Sequence, residues 1–289
     1  NNCCSYCSIP RIRGNLRSRT EASIVAEAKN LIGGGVRELI LIGQDITAFG
    51  HDTGSGSLAS LLWKLDVLDG DFAIRLLYTH PAHFTDELIK VMAESGKIMH
   101  YVDMPLQHIS DTILSSMGRK VTRAQTEELL NKLRTAMPDI AIRTTFITGY
   151  PGETEENYRE LYDFVKEQEF RRVGVFAYCE EPQTRAISMD EKIPAEVAAD
   201  RSSKIMELQA KISRKFNNSL VGKDLSVIID CLEERNTAVG RTYMDAPDID
   251  NLVYIRGARR VNPGDQVTAR VTGGSDYDID AKITAEQKV

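Results

Sequence analysis

The sequence predicts an α/β domain whose parallel strands form a barrel-like sheet, followed by a smaller all-β barrel. Three observations predict it. Between Thr20 and about residue 179, amphipathic runs alternate with short apolar runs rich in β-branched residues, the pattern of repeated βα units. Near residue 220 this rhythm gives way to short alternating stretches broken by Gly, Pro, Asn and Asp, as in small closed β-structures. Polar side chains gather where each apolar run of the first part ends, which is where parallel barrels place their sites.

The elements follow in order. "TEASIVAEAKNLIGGG" has apolar residues at helical spacing and stops on glycines, and "VRELILIGQD" reads as a buried strand. "LASLLWKLDVLD" is a helix and "FAIRLLYTHP" a strand; "TDELIKVMAESG" is a helix with Thr85 as N-cap, and "YVDMPLQ" a strand. "RAQTEELLNKLRTAMP" leads into "IAIRTTFITGYPG", and "TEENYRELYDFVKEQE" into "RVGVFAYC". Each strand is followed by enough chain for a right-handed crossover to a parallel neighbour. A long amphipathic segment over 193–222 precedes "LSVIID", "TAVGRTYMDAP", "LVYIRG", "DQVTARVTGG" and "YDIDAKIT", five short strands. The boundary is placed at Val221, giving domains 1–220 and 221–289.

With 42% hydrophobic and 27% charged residues the chain has ample material for a core. It has no run of eighteen apolar residues and no secretory signal pattern, so a cytoplasmic location without membrane attachment is expected. The net charge of −6 argues against a broad nucleic-acid surface and suits a basic partner. The strand-end residues are Gln44 and Asp45, Tyr78 and His80, Gln107 and His108, Thr148 with Gly149, and Tyr178. Singly, each reads as a side chain leaving the core; five consecutive strands ending so argue for a ligand face.

Three of the five cysteines, Cys3, Cys4 and Cys7, fall in the first seven residues. An odd, clustered set does not make a disulfide framework. Cys4 and Cys7 form a C-x-x-C pair suited to sharing one metal centre. Structural zinc needs four ligands and finds no second pair here. A thioredoxin-like redox pair sits between a strand and a helix without a third adjacent cysteine. An iron-sulfur cluster, which takes closely spaced loop thiolates, is the third option.

"CSYC" resembles the end of the C-x-x-x-C-x-aromatic-C loop of radical S-adenosylmethionine enzymes. In that family three cysteines hold a 4Fe-4S cluster, the fourth iron binds S-adenosylmethionine, and one electron releases a 5′-deoxyadenosyl radical. Three ligands leave the corner open for the cosubstrate. The resemblance implies Cys4 and Cys7 as cluster ligands, with the first ligand immediately before Asn1. Cys3 is then the variable neighbour, since taking it as first member would put the third ligand at Pro10. The first strand of the barrel would also precede Asn1, so the chain is expected to be part of a longer protein.

"CSYCSIPRIRGNLRSR", "ELILIGQDITAFG", "LQHISDTILSSMGR" and "RTTFITGYPGETEENY" together resemble the methylthiotransferases, and the final barrel their OB-like TRAM domain. This implies a partial, TIM-like (β/α) barrel, an N-terminal domain with a second 4Fe-4S cluster, and a reaction that installs a methylthio group on an unactivated carbon. "GQDITAFGHD", "YTHPAHFTDELI" and "GRTYMDAPDIDNLVYIRG" resemble the branch that modifies the β-carbon of an aspartate in ribosomal protein uS12 of the small ribosomal subunit. The other branch modifies a tRNA adenosine. Residues 221–289 carry nine Lys and Arg against twelve Asp and Glu, 9 − 12 = −3, which suits a basic ribosomal protein better than RNA.

The resemblance also implies roles. Gln44 and Asp45 meet the methionine end of the cosubstrate, Gln107 and Arg143 its carboxylate or ribose, and Gly149, Tyr150 and Gly152 its adenine; the last turn also reads as a tight strand-to-helix connection. Arg11, Arg13, Arg17 and Arg19 bind phosphate, an acidic target or the missing domain, or form a solvated face. Cys179 and Cys231 read as buried or half-buried thiols. An electron donor such as flavodoxin or ferredoxin and a sulfur donor are expected partners. In a different class, the chain alone reads as a non-catalytic protein- or RNA-binding module.

Overall fold

The computed structural model describes residues 2–233, 236–258 and 260–286, the side chains of 285 and 286 excepted. The chain divides into two compact units: Asn1–Gln168 with Val173–Met206, and Glu169–Arg172 with Glu207–Val289. The division falls inside a 25-residue helix, Ala195–Ser219, where periodicity alone shows no break.

The first unit is a five-stranded sheet in the order β1 (Glu38–Leu41), β2 (Ala73–Leu76), β3 (Ile98–Asp103), β4 (Ala141–Thr148) and β5 (Arg172–Ala177). The pairs β1/β2, β2/β3 and β3/β4 are parallel. Between strands lie α3 (Leu58–Asp66), α4 (Asp86–Glu94), α6 (Arg123–Ala136) and α7 (Glu155–Gln168), while α1 (Ile9–Arg13) and α2 (Glu21–Gly33) precede β1. Helix starts are fixed chemically: the hydroxyls of Thr20, Ser57, Thr85 and Thr122 accept backbone N–H groups that helical geometry leaves unpaired. Leu61, Leu62 and Leu65 of α3, Leu88 and Met92 of α4, and Leu161 and Phe164 of α7 are buried, as are Ile74, Val102, Ile142 and Phe146 of the strands. Each such side chain contributes about 1.5–3 kcal/mol by leaving water.

β3 starts and ends earlier than its apolar run suggested. It stops at Asp103, and the chain returns to the sheet at Gln107, whose φ of +72° sets up an isolated parallel bridge with Phe146. The short α5 (Asp111–Ser116) follows.

In the second unit, β6 (Asp224–Glu233), β7 (Thr237–Arg241), β8 (Val253–Arg256), β9 (Gln266–Gly274) and β10 (Ile279–Glu286) close a barrel in the order β10-β8-β7-β6-β9. The β8/β10 pair is parallel and the other pairs antiparallel, the OB-like arrangement expected. Closure needs Gly240, because a Cβ there would lie 2.2 Å from the Ile228 carbonyl oxygen. No helix among the described residues is long and apolar enough to cross a membrane.

Candidate active site

The cysteine loop is held from beneath at its centre. Between Cys4 and Cys7, Ser5 donates its N–H to Met117 O (2.8 Å) and accepts Ala186 N–H at its carbonyl (2.9 Å). Its Oγ lies 2.6 Å from the Tyr150 hydroxyl, which also donates to Ser116 O at 3.1 Å. Tyr150, Ile113, Met117 and Ala186 form a small buried core against which Tyr6 and Tyr178 pack. Arg185 Nη2 donates to the Cys3 carbonyl (2.9 Å), and Arg119 Nη1 approaches Cys4 Sγ at 4.0 Å.

All the cysteines are free thiols. Cys4 and Cys7 are half-buried and Cys3 is exposed. Burial pushes the Cys7 thiol up, and burial with Cys4 nearby raises Tyr6. Both shifts describe a loop poorly solvated where its thiols sit. Cys179 and Cys231, expected to be buried or half-buried, are exposed, because each lies at or beyond the end of its strand's buried stretch.

Just past β1, Asp45 is the centre of a polar node. Its Oδ2 accepts from Asn2 Nδ2 and pairs with His83 Nδ1, both at 2.7 Å; its Oδ1 accepts from Thr47 Oγ1 at 2.5 Å and from Ala48 N–H at 3.3 Å. Burial works against the charge, but the hydrogen bonds from His83 and Thr47 outweigh it and hold the Asp45 carboxyl at about 2. His80, past β2, has its Nδ1 capped by Ala82 N–H at 3.2 Å. Burial, helped by Arg119, pushes it down to about 3, so it is neutral. Nearby Tyr78 sits at φ +59° with its N–H held by Asp103 Oδ2, a strained backbone at a strand end.

A cavity of about 930 Å³ opens beside this node, lined by Cys4, Cys7, Gln44, Asp45 and Gln107, and also by His83 and Arg119. That volume suits a cofactor-sized ligand. Five of the nine residues assigned from the sequence therefore meet in one space. Arg143, Gly149, Tyr150 and Gly152 do not line it. Arg143 Nη1 is engaged by Asp103 Oδ1 at 2.7 Å, because the two residues pair across β3 and β4. Gly149, at φ +73°, is close to Ala198 of α8 (Ala195–Ser219), where an added Cβ would lie 2.2 Å from that residue's own. The tight-connection reading accounts for this glycine. Tyr150 is fully buried and holds Ser5, and Gly152 donates its N–H to Glu191 O.

The turn after β4 is fixed by a residue that spacing did not reveal. Glu153, nearly inaccessible, accepts Gly149 N–H at 2.7 Å and Arg201 Nη1 at 2.8 Å. Burial pushes Glu153 up against the pull of Arg201, and burial with Arg201 pushes the adjacent His108 down to about 3. His83, Arg119, Ser5 and Glu153 escaped notice because each acts on a partner distant in sequence. The quoted stretches "YTHPAHFTDELI" and "LQHISDTILSSMGR" did contain His83 and Arg119.

A thiol pair on the wall of a largely apolar cavity with a few polar groups, at the ends of parallel strands, defines an α/β fold with a candidate cofactor site. Residues 1–165 match the model of the radical SAM superfamily and residues 221–284 that of the TRAM domain. The chain belongs to the radical SAM superfamily. It is 46% identical over 98% of its length to "Ribosomal protein uS12 methylthiotransferase RimO" of Geobacter sulfurreducens, covering 64% of that protein. It is 44% identical over 96% to the protein of the same name from Caldanaerobacter subterraneus, again covering 64%. The chain thus spans about two-thirds of these relatives' length. Among solved structures, the radical S-adenosylmethionine methyltransferase TsrM from Kitasatospora setae aligns with TM-score 0.50, 22% identity, 64% of this chain and 36% of its own. Coproporphyrinogen III oxidase HemN from Escherichia coli aligns with TM-score 0.50, 17% identity, 69% and 48%. At these identities the likeness is one of fold.

Proposed function

We propose that the chain is the core and C-terminal part of a methylthiotransferase acting on the β-carbon of an aspartate in ribosomal protein uS12. The observation carrying this reading is that similarity to proteins of that one name runs through both units, over 98% of the chain. Residues 1–220 form its radical core and 221–289 its TRAM domain.

The donor set fits a 4Fe-4S cluster. Cys4 and Cys7 are free, half-buried and on the wall of a cofactor-sized cavity, and Cys3, Cys4 and Cys7 do not converge as a three-ligand group among the described residues. Cys4 and Cys7 would hold two of its irons. When bound, the cluster supplies the electron that cleaves S-adenosylmethionine. Asp45, ionised at any physiological pH, offers an acceptor to the cosubstrate's ammonium group, and Gln44 and Gln107 offer amide partners from the segments that follow β1 and β3. Ser5, Tyr150 and Arg185 keep the cysteine loop fixed. Arg143, Gly149, Tyr150 and Gly152 act from behind the wall, shaping the strand ends. An electron donor such as flavodoxin or ferredoxin and a sulfur donor complete the reaction in the cytoplasm.

The test is anaerobic reconstitution of the full-length parent with iron and sulfide, followed by incubation with S-adenosylmethionine, a reductant and purified uS12. A methylthio increment on one aspartyl peptide is expected. An increment on a tRNA adenosine, with uS12 unchanged, would transfer the chain to the other branch.

A further inference from the structure

Resting on that reading, we propose that Arg13 and Arg17 are specificity residues that hold the side-chain carboxylate of the target aspartate at the rim of the cysteine cavity. The segment "RIRGNLRSR" sets four guanidiniums just past Cys7, and the fold sorts them into two kinds. Arg11 Nη1 donates to Gln183 O at 2.9 Å. Arg19 pairs with Glu27 Oε2 at 2.5 Å and donates to Ser23 Oγ at 2.8 Å. Arg13 and Arg17 have neither hydrogen bond nor ion pair among the described residues, and both are exposed. Both nevertheless line the cavity that holds Cys4, Cys7, Gln44 and Asp45.

The backbone that carries these two cations is tied down on either side. Gly14 N–H closes α1 on Pro10 O at 3.1 Å, and the Arg11 contact fastens that helix to the Gln183 carbonyl. Just past Arg17, Ser18 donates its N–H to Asp52 Oδ2 at 2.8 Å, and its Oγ accepts Gly50 N–H at 2.9 Å. The remaining charges of the cavity wall are committed. Glu27 is taken by Arg19 and Glu38 by Arg75. Asp45 is held by Asn2, Thr47, Ala48 and His83. Arg119 is engaged by Pro105 O and approaches Cys4 Sγ. Arg13 and Arg17 are therefore the uncommitted charges of the wall, and both are positive.

A guanidinium matches a carboxylate in both charge and shape. The aspartate carboxylate is one bond from the β-carbon, so holding it restricts where that carbon lies in the cavity. A substrate that is basic overall is repelled by this rim except where it presents an acid, so the same two charges attract the aspartate and turn away its basic neighbours. A nucleic-acid phosphate is a poorer occupant, because two cations on a cavity wall are not the broad basic surface that a phosphate backbone needs.

The experiment measures binding of a uS12 peptide containing the target aspartate, and of its asparagine twin, to the reconstituted full-length enzyme without reductant. The parent is expected to bind the aspartate peptide about tenfold tighter than its twin at low salt, with the ratio falling toward one as added salt screens the rim charges. Arg13→Gln and Arg17→Gln keep most of the stem and remove the charge. Each should lower the ratio to about threefold, and the two together to about one. A ratio of one in the parent at low salt overturns the proposal, as does a ratio that survives the double substitution. In the second case, weakened S-adenosylmethionine binding by the double variant would make the cosubstrate's carboxylate the occupant, and weakened ribosomal RNA binding a phosphate. If the parent leaves uS12 unmodified when reductant and S-adenosylmethionine are supplied, the function itself is refuted; if it modifies uS12 while the double variant keeps the parent's ratio, the arginine seat alone is.

Discussion

The two units bury their polar groups in different ways. In the barrel, Val227, Ile229, Val239, Ile255, Ala269 and Val271 fill the interior, while exposed pairs such as Asp224 with Arg270 and Arg256 with Asp280 face outward. Its buried Arg172 is closed off by Asp245. Its non-glycine residues at positive φ are Glu169, Asn236, Asp248 and Arg260 among the described residues, all outside the strands, and two of them are Asn or Asp, types that tolerate that conformation in turns. In the sheet unit, buried Asp45, His80, Asp103, His108, Arg119 and Glu153 crowd the strand ends, and of its non-glycine residues at positive φ, Tyr78, Gln107, Gln183 and Glu191, the first two lie there. Strain and open hydrogen-bonding capacity collected at one face are features that a framework has no use for. The barrel is built for closure, the sheet ends for a ligand.

The contrast can be broken at several points. Cys4→Ala or Cys7→Ala in the full-length parent should remove the iron of this one cluster, about half of the total if the second cluster expected from the resemblance is present, and lower methylthiolation more than about 100-fold, beyond the loss typical of outer-shell changes; iron assay and product mass spectrometry measure both. Glu153→Gln removes the buried charge partner of Arg201, leaving it only the exposed Glu155, and should cost about 2 kcal/mol. Denaturant unfolding followed by the fluorescence of Trp63, the chain's one tryptophan, reports on the sheet unit. Gly149→Ala adds a Cβ against Ala198 at a positive φ and should cost about 2–3 kcal/mol by the same probe.

A pH series sharpens the picture. The folded protein holds Asp45 at about 2 against an ordinary 3.8. A depressed carboxyl contributes stability that is present above its unfolded value and is lost as pH falls through the folded one. About 2 kcal/mol should therefore disappear between roughly pH 4 and pH 2, and Asp45→Asn should lack that part of the acid transition. The smallest effect belongs to the barrel surface: Arg270→Ala removes an exposed pair and should leave the unfolding midpoint unmoved.

Much of the fold could be read from the sequence. All ten strands lie within or overlap the apolar and alternating runs, and Thr85 caps α4 as its position implies. The five residues of α1 and six of α5 are too short to show a helical period, and β3 ended early because the backbone kink at Gln107 leaves no mark in hydropathy. In the site, cysteine spacing and strand-end polarity led to Cys4, Cys7, Gln44, Asp45 and Gln107. They could not show that Tyr150 reaches back to Ser5, 145 residues away, or that His83 supports Asp45 from 38 residues on. Such pairs are made by the parallel sheet, which brings distant loops to one face, and no local pattern encodes them. Arg143 lies level with Asp103 rather than at the mouth because β4 is longer than β3.

The most direct test of the central claim is mass spectrometry of tryptic uS12, alongside nucleosides of digested tRNA, from cells with and without the full-length parent gene. The predicted result is a methylthio-bearing aspartyl peptide of uS12 that vanishes when the gene is removed, with tRNA nucleosides unchanged. Loss of a methylthioadenosine with the uS12 peptide unaltered would contradict it.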